Sequence, residues 1–487
     1  MKRIPFLAIL IVGVLLSLAA AAPLYAQEQR PISLQEAMDL ALKNSKQLRI
    51  SRAKISEAAA ALRQAQQGQL PDLKVSGSYL RLTQPNIDVD PELGKAIGGS
   101  SGSGGGNSGG GSGNGGSGGG SGTGSGGGSG SGSGSGASGG LGSIKVNEAM
   151  YGIANLSLPL FSGFRVRYGI ESARYLEKAA ELDADNDKES VLINTVGAYA
   201  NLYKAHENVF LLQQELAQSQ KRDSDFADME RNGLLARNDM LKAQLQTSTI
   251  EYNLDDALDN EKIADVNMDL LLGLPEQTFL LPDSNAMQPS ETPEPIETYE
   301  KEALQHRLDL SALTYQSRAA AVAVKTAQAD YYPTVALSGG YIAAKIPGLF
   351  TITNAITYGV ALQYNLSAFW KTGARVAQQR AREEETDANK ALLEDQVRLQ
   401  VNQAYADYLT AVKKIGVSKK AIQQGEENYR ITRNKYNNSL VTTTDLLEAD
   451  VSLLQARINL ELARADALVA FDTILERSGL LGETLKK

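Results

Sequence analysis

Residues 355–366 read AITYGVALQYNL, and their side chains alternate between two kinds of surface. Large apolar or aromatic residues occupy every second position: Ile356, Tyr358, Val360, Leu362, Tyr364 and Leu366. Because successive side chains of a β-strand point to opposite faces, the pattern predicts a strand with one apolar face. About ten residues of such alternation are typical of a strand in a membrane-spanning β-barrel, and a half-buried strand of a soluble sheet has the same pattern.

The chain, including this strand, consists of two copies of one unit. The aligned positions are residues 70–80 (LPDLKVSGSYL) with 332–342 (YPTVALSGGYI), Gly233-Leu234 with Ser439-Leu440, and Gly273 with Gly479. A Gly/Ser tract at residues 97–143 interrupts only the first copy and accounts for most of its extra length. The sequence is therefore internally duplicated, and both copies are expected to have the same order of elements.

The predicted elements of the two repeats follow from strand alternation, helical periodicity and turn residues. The first repeat, residues 27–274, is predicted to contain an N-terminal helix, strand 72–83, the Gly/Ser loop 97–143, strand 149–160, a long helix 165–230 and a helix 238–272. A Pro-rich connector spans residues 275–297. The second repeat, residues 298–487, is predicted to contain helix 299–330, strands 334–345 and 355–366, a long helix 374–436 and a helix 445–478.

The helices are unusually long because no proline interrupts them between Pro159 and Pro275 or after Pro347. Apolar residues recur at alternating spacings of three and four, which predicts a coiled-coil seam. The seam of the last helix comprises Leu446, Ala449, Leu453, Ala456, Leu460, Ala463, Ala467, Ala470 and Ile474. Helices of this length cannot fold back into a small globule, so we expect antiparallel coiled coils.

Composition argues against most catalytic chemistry. The chain has 48 Lys and Arg against 56 Asp and Glu, two His and no Cys. The net charge of −8 disfavours nucleic acid as a partner, and the lack of Cys excludes thiol nucleophiles and zinc–thiolate sites. The two histidines, His206 and His306, are far apart in the sequence. We therefore expect neither an enzyme nor a metal site nor a cofactor.

The N-terminus has the pattern of an export signal. Lys2 and Arg3 precede an uncharged apolar run, and Leu24-Tyr25-Ala26 offers a small residue at the cleavage position. This pattern predicts a signal peptide at residues 1–26, with a retained membrane anchor as the alternative. Export, together with aromatic residues at the strand-to-helix junctions, favours the membrane barrel over the soluble sheet. These aromatics, expected at the lipid–water interface, are Phe161, Phe164, Phe369 and Trp370.

Four predicted strands are too few to close a barrel, for which eight is the practical minimum. An open sheet edge in lipid would leave backbone groups without hydrogen-bond partners. The strand count therefore predicts that several copies of the chain share one barrel. The fold class expected is an α+β membrane protein in which four transmembrane strands per chain are combined with very long antiparallel helices.

The duplicated unit resembles the TolC family of outer-membrane efflux proteins. The residues that carry the resemblance are Ala65-Gln66 with Ser76-Gly77-Ser78-Tyr79, their counterparts Tyr332-Pro333 and Ser338-Gly339-Gly340-Tyr341, Leu158-Pro159-Leu160-Phe161-Ser162-Gly163, Asn232-Gly233-Leu234, and Asp445-Leu446-Leu447-Glu448-Ala449. The resemblance implies a homotrimer with a 12-stranded β-barrel in the outer membrane of a Gram-negative-type bacterium and a helical barrel in the periplasm. Such channels export small molecules, including drugs and toxic compounds, or proteins by type I secretion. Their partners are a periplasmic adaptor (membrane fusion) protein, an inner-membrane RND, ABC or similar pump, and outer-membrane lipid.

Two carboxylates are candidates for the periplasmic constriction. Asp445 and Glu448 lie three residues apart at the start of a helix, so they share a face and would form two stacked rings in a trimer. The resemblance implies that such rings select for cations and take part in gating. A capping box formed by Asp445-x-x-Glu448 is the alternative, and both roles are compatible.

The resemblance also implies a closed-state latch and adaptor contacts. Tyr436 and Asp239 occupy the latch positions, whereas Val441 replaces an arginine that completes the latch in the family. Arg237, Arg433 and Lys435 are nearby candidates to replace it, and a tyrosine packed in a helix interface is the alternative for Tyr436. The expected adaptor contacts are the turn residues Asn232, Gly233, Leu234, Ser439 and Leu440.

The Gly/Ser loop is expected on the extracellular side of the barrel as a passive expansion, with shielding of the channel mouth as the alternative. Two other functions share part of the pattern. An exported coiled-coil adaptor or scaffold would have the heptads and the signal, and a trimeric surface adhesin would use the Gly/Ser tract for display. Neither requires two hairpins with apolar outer faces.

Overall fold

The computed structural model describes residues 29–81, 83, 148–276, 278–287, 293–347 and 350–484. They form two compact units. The helical unit lies within residues 1–68, 162–332 and 365–487, and the sheet unit lies within residues 69–161 and 333–364. The predicted signal peptide and the Gly/Ser loop 97–143 fall outside the described residues.

The elements are numbered in chain order. The helical unit contains β1 (Gln29–Ile32), α1 (Leu34–Asn44), α2 (Lys46–Gln67), α3 (Arg165–Arg231), α4 (Arg237–Leu272), β4 (Phe279–Pro282), α5 (Ile296–His306), α6 (Leu308–Gln328), α7 (Ala368–Asn437), α8 (Thr443–Arg477) and α9 (Leu481–Thr484). The sheet unit contains β2 (Asp72–Arg81), β3 (Glu148–Phe161), β5 (Thr334–Ile346) and β6 (Phe350–Gln363).

The sheet unit is a four-stranded antiparallel sheet in the order β2-β3-β5-β6. β6 begins five residues before the predicted start of strand 355–366 and ends at Gln363. The strand ends there because the Asn365 carboxamide accepts hydrogen bonds from the amide N–H (3.1 Å) and the hydroxyl (2.7 Å) of Ser367. This local turn leads directly into α7, which begins six residues before the predicted position 374.

Cross-strand pairing aligns apolar side chains in rows across the whole sheet. One row is Val75, Ala154, Tyr341 and Ile356, and the next is Leu73, Leu156, Gly339 and Tyr358. The large side chains of both rows are solvent-exposed in the single chain, from 40% for Tyr341 to 91% for Tyr358. The intervening positions carry Lys74, Asn155, Gly340 and Thr357 in register. The sheet thus has one apolar face and one face of mainly small and polar residues, with Ile153 and Ile342 paired among them.

The helical unit is dominated by α3 and α7, which have 67 and 70 residues and are each roughly 100 Å long at 1.5 Å per residue. Each turns back into a shorter antiparallel helix, α3 into α4 and α7 into α8. Val209, Leu212, Ile250 and Ala257 form the buried core between α3 and α4. Residues of the predicted seam of α8 pack against α7 through a cluster of Ala411, Ile415, Leu460, Ala463 and Ala467.

The predicted helix 299–330 is wrong as a single helix, because the chain breaks at Arg307 between α5 and α6. The turn at Gly479 lies against this point, and a Cβ on Gly479 would be 3.0 Å from the carbonyl carbon of His306. The first repeat has the same arrangement: the N-terminal helix is divided into α1 and α2 at Ser45, and Gly273 lies against Asn44. A glycine turn at the end of each repeat therefore occupies the space that a continuous helix would need.

The connector is more ordered than a Pro-rich link predicts. β4 pairs in parallel with β1, and α5 begins at Ile296, inside the predicted connector 275–297. Two carboxylates of α4 hold this segment: Asp265 accepts from the N–H of Leu280 and Asp269 from that of Thr278, both at 3.2 Å. The β1–β4 pair could not be predicted from the sequence, because each strand has only four residues.

Several carboxyl groups of the helical unit lie in a desolvated environment. Burial raises the pKa of Glu189 to about 7, where Glu476 adds repulsion. Burial alone raises the pKa of Asp472 on α8 to about 6. The pKa of such a carboxyl group is higher in the folded state than in the unfolded state. Its contribution to stability is fully present below the pKa of the unfolded state. That contribution is lost as the pH rises through the pKa of the folded state.

We therefore predict that Asp472→Asn stabilises the protein at pH 7.5 by up to about 3 kcal/mol, because the amide removes a buried charge. The gain should disappear at pH 5, where the wild-type carboxyl is largely protonated. Thermal unfolding of the purified protein at both pH values measures the effect as a shift of a few degrees. Asp395→Asn, at an exposed position of α7, is the control; equal shifts for both variants would contradict the prediction.

Candidate functional site

The two turns at the free ends of the helical hairpins have the same backbone structure. After α3, the N–H of Leu234 donates to Met229 O and that of Gly233 to Glu230 O, both at 2.9 Å. After α7, Leu440 N–H donates to Lys435 O (2.9 Å) and Ser439 N–H to Tyr436 O (2.8 Å). Both are Schellman motifs, in which the residue after the C-cap takes a left-handed conformation. That residue is Gly233 (φ 70°) in one turn and Ser439 (φ 56°) in the other.

The leucines that follow these positions are exposed to solvent, Leu234 by 73% and Leu440 by 72%. Asn232 caps α3 through its side-chain amide, which donates to Asp228 O at 2.8 Å. The two repeats thus each present one such turn, with a leucine exposed to solvent. Their predicted role as adaptor contacts stays a prediction.

The start of α8 is capped, although by residues other than those expected. Thr442 is the N-cap and Asp445 the third helical residue, and they form a reciprocal capping box. The Asp445 carboxylate accepts from the N–H (2.8 Å) and the hydroxyl (2.7 Å) of Thr442. The predicted box Asp445-x-x-Glu448 is therefore wrong by three positions. Hydrogen bonds from Thr442 lower the pKa of Asp445, so its negative charge persists in mildly acidic conditions.

Asp445 and Glu448 are both exposed and lie on one face of α8, opposite the buried Leu446, Leu447 and Ala449. Further along α8 this face continues with exposed Ser452, Gln455 and Asn459. These three side chains are polar and uncharged, so the charge of this face of α8 comes from Asp445 and Glu448 in its first turns. The arrangement is suited to attract cations at the free end of the hairpin.

Tyr436 and Asp239, the predicted latch partners, both line the cleft between the two hairpin ends but do not bond to each other. The Tyr436 hydroxyl lies 3.4 Å from Thr443 Oγ1, and its ring centroid is 5.7 Å from that of Phe226. Asp239 instead pairs with Lys242 at 3.3 Å. Among the residues that the structure describes, the two latch side chains thus have other partners, and the latch stays a prediction.

The cleft between the two hairpin ends has a volume of about 890 Å³. Tyr436, Asp239, Val441 and Arg433 all line it. Of the candidates Arg237, Arg433 and Lys435, Arg433 thus lines the same cleft as Val441. Arg237 pairs with Glu230 at 3.3 Å instead.

A buried ion pair near this cleft was missed by the sequence analysis. The guanidinium of Arg222 on α3 donates to the carboxylate of Asp450 on α8, and their side chains are 9% and 4% exposed. Gln218 donates to the same carboxylate at 3.0 Å and to the Tyr429 hydroxyl at 3.2 Å. Two sequence features could have indicated this pair. Asp450 adjoins the apolar heptad positions of α8, and Arg222 lies at helical spacing from Ser219 and Phe226, which are buried on α3.

The four junction aromatics lie where the strands give way to helices. Phe161 is the last residue of β3, and Phe164 occupies the N-cap of α3 with φ 67° and a ring centroid 6.3 Å from that of Tyr168. Phe369 and Trp370 lie in the first turn of α7 and are 63% and 70% exposed. Their placement at a membrane interface stays a prediction.

Among the described helices, none combines the length and the hydropathy needed to cross a membrane.

Comparison with known proteins relates the second repeat to a known family. Residues 300–479, nearly the whole second repeat, match the model of the outer membrane efflux protein family. The resemblance of the repeat to this family is thus found over more than a third of the chain. The chain is 24% identical over 332 residues to outer membrane efflux protein BepC of Brucella suis, a match that covers 66% of this chain and 71% of BepC.

Solved structures of outer membrane proteins have the same fold. The model superposes on VceC from Vibrio cholerae with a TM-score of 0.68 at 18% identity, covering 92% of this chain and 96% of VceC. It superposes on the CmeC outer membrane channel of Campylobacter jejuni with a TM-score of 0.70 at 16% identity, covering 92% and 86%. The resemblance inferred from the repeat motifs is thereby confirmed, as is a mostly helical chain with a small sheet.

The geometry of the two turns predicts opposite effects on stability when the residue in the left-handed conformation is exchanged in each turn. A side chain in the left-handed region is strained, whereas glycine is not. Ser439→Gly should therefore raise the free energy of unfolding by about 1 kcal/mol, and Gly233→Ser should lower it by about the same amount. Thermal unfolding of the two single variants is the measurement. Shifts in the same direction would show that the two turns are not equivalent.

Proposed function

We propose that three copies of this chain form one channel across the outer membrane, through which small molecules or proteins leave the cell. The observation that carries the proposal is the four-stranded sheet with an exposed apolar face and two edge strands, β2 and β6. The match of residues 300–479 to the outer membrane efflux protein family supports the export function.

The sheet edges require partners if the sheet lies in lipid. Every N–H and C=O group in the hydrocarbon region must be hydrogen-bonded, because no water is available there. Within the described part of one chain, the outer rows of β2 and β6 remain open. Pairing of β6 with β2 of a neighbouring copy would satisfy both rows, and three copies would supply twelve strands, enough to close a barrel.

The alternation of the sheet supports this orientation. The rows that contain Tyr358 and Val75 would face lipid, and the row that contains Asn155 and Thr357 would line the lumen. Phe161, Phe164, Phe369 and Trp370 would then lie near the lipid–water boundary, where aromatic side chains are favoured. The Gly/Ser loop, inserted between β2 and β3, would lie at the extracellular end.

The free ends of the helical hairpins would form the periplasmic entrance. In a trimer, Asp445 and Glu448 would form two rings of three carboxylates each, and these rings would favour cations at the constriction. The latch predicted between Tyr436 and Asp239 would form only after both side chains leave Thr443 and Lys242.

The exposed turns supply a surface for the transport partners. Leu234 and Leu440 project from equivalent turns of the two repeats, so a trimer would present six such leucines. These turns are suited to bind a periplasmic adaptor that links the channel to an inner-membrane pump.

Conductance of the purified protein in planar lipid bilayers tests the proposal. We predict cation-selective pores, and Asp445→Asn with Glu448→Gln should lower the cation-to-anion permeability ratio at least about threefold, because the ring charge is removed. Glu427→Gln is the control, since this exposed carboxylate is paired with Arg430 at 2.6 Å on α7.

Two results would contradict the proposal. If the wild-type protein inserts into the bilayer without conducting ions, it is not a channel. If the selectivity of the double variant equals that of the wild type, Asp445 and Glu448 do not line the constriction.

A further inference from the structure

A cavity of about 800 Å³ lies in the helical unit, between the start of α3, the end of α6 with the turn that follows it, and the first turns of α7. Its volume is in the range of pockets that bind small organic groups. Aromatic rings, two basic side chains and a carboxylate contribute to its lining. These residues are Phe164, Tyr331, Tyr332, Lys325, Arg380 and Glu384.

The cavity adjoins the points where the chain enters and leaves the sheet. β3 ends at Phe161, three residues before Phe164, and β5 begins at Thr334, two residues after Tyr332. α7 begins five residues after the end of β6. In the proposed orientation these strand ends lie at the periplasmic surface of the outer membrane. The cavity would then lie beside the lipid headgroups of the inner leaflet, where aromatic side chains are favoured.

The basic side chains of the cavity are available to bind an anion. Among the described residues, neither Lys325 nor Arg380 forms an ion pair. Two neighbouring arginines differ in this respect, because Arg375 and Arg165 share the carboxylate of Asp330 at 2.9 and 3.7 Å. Ammonium and guanidinium groups form strong, charge-assisted hydrogen bonds with phosphate oxygens. The cavity is therefore suited to a phosphate group.

The aromatic wall depends on a tight turn before α3. A Cβ on Gly163 would lie 2.6 Å from the carbonyl oxygen of Ala329, so only glycine allows this close approach to the end of α6. The next residue, Phe164, has φ 67°. This left-handed conformation is rare for a bulky side chain and is found mainly where the surrounding structure imposes it. The turn holds the Phe164 ring at the edge of the cavity.

A tyrosine hydroxyl adds a further hydrogen-bond donor. A Cβ on Gly373 of α7 would be 3.8 Å from the Tyr331 hydroxyl oxygen, so this hydroxyl faces α7 across the cavity. The aromatic pair Tyr331 and Tyr332 is a feature of the second repeat. The repeat alignment matches these tyrosines with Gln69 and Leu70, which are not aromatic.

The carboxylate indicates which phosphate-containing headgroup fits. Arg380 and Glu384 are four residues apart on α7, so they share a face and are separated by about 6 Å along the helix axis. Arg380 is the nearer of the two to the end of β6. A headgroup that enters from the membrane would therefore meet the guanidinium first and the carboxylate second. Phosphatidylethanolamine has its phosphate and its primary ammonium group in this order, joined by a short ethyl spacer.

We propose that this cavity binds the headgroup of phosphatidylethanolamine from the inner leaflet of the outer membrane. The phosphate is held by Lys325 and Arg380, and the ammonium group donates to Glu384. The inference rests on the proposed channel function, which places the cavity at the membrane surface. Two other phospholipids fit less well: phosphatidylglycerol has no cation for the carboxylate, and the quaternary ammonium of phosphatidylcholine has no N–H group to donate.

Native mass spectrometry of the purified, delipidated full-length protein in detergent tests the inference. Short-chain forms of the three phospholipids are titrated separately. Phosphatidylethanolamine should bind at least about threefold more tightly than the other two, because it alone pairs with both kinds of charge. Lys325→Ala with Arg380→Ala should weaken its binding at least about tenfold, because two charge-assisted hydrogen bonds are lost.

The first repeat provides a matched control. The repeat alignment places Arg63 of α2 opposite Lys325 and Arg174 of α3 opposite Arg380. Both arginines are exposed, and neither lines the cavity. Arg63→Ala with Arg174→Ala removes the same charge from the protein and should leave lipid binding within about twofold of the wild type, because exposed charges away from the site contribute little.

A single substitution separates the two halves of the headgroup. Glu384→Gln should weaken the binding of phosphatidylethanolamine at least about threefold, because the charge-assisted hydrogen bond from the ammonium group is weakened. The same substitution should not weaken the binding of phosphatidylglycerol, which has no ammonium group. A merely structural role of Glu384 would weaken the binding of both lipids equally.

The outcomes distinguish failure of the inference from failure of the channel. Equal binding of the three lipids, or wild-type affinity after Lys325→Ala with Arg380→Ala, would overturn the inference. Displacement of the lipid by an equal concentration of inorganic phosphate would indicate a site for free phosphate and would also overturn it. If the double variant does not fold, Glu384→Gln decides. Planar-bilayer conductance is measured in parallel: pores without selective lipid binding leave the channel intact, whereas absence of pores in the wild type would overturn the proposed function itself.

Discussion

Backbone hydrogen bonding at the edges of a four-stranded sheet constrains the rest of this molecule. Among the residues that the structure describes, β2 and β6 each leave one row of N–H and C=O groups unpaired, and the large side chains of the apolar face are exposed. In water such edges promote uncontrolled association, and in lipid they are not tolerated. In the proposed trimer, sharing the strands would pair the edges, and lipid would cover the apolar face. The proposed trimer is thus a consequence of strand number and strand chemistry.

Duplication explains how a single chain could supply one third of the proposed closed assembly. Each repeat ends its long helix in a Schellman turn and ends its last helix at a glycine that lies against the break between two short helices. These shared features place the hairpins of the two repeats in equivalent roles. The differences between the repeats then become informative: Gly233 stands opposite Ser439, and only α8 carries the pair of exposed carboxylates within its capped start.

The elements that depend on local sequence could be predicted, whereas those that depend on distant contacts could not. Alternation located the strands, and the absence of proline located α3 and α7 to within a few residues. The break at Arg307 could not be predicted from local sequence, because its contact with the glycine turn at Gly479 lies far along the chain. The ion pair of Arg222 and Asp450 joins residues 228 apart in sequence, and neither position is unusual within its own helix. The first turn of α8 was predicted as acidic, but its capping residue, Thr442, was identified only by the structure.

The mass of the native assembly is the most direct test of the central claim, that strands are shared between copies. The protein would be extracted from outer-membrane fractions with a mild detergent, and native mass spectrometry would give its oligomeric state. The account predicts a trimer of the processed chain, found in the outer-membrane fraction. A stable monomer in detergent, or a protein recovered from the soluble periplasmic fraction, would contradict it.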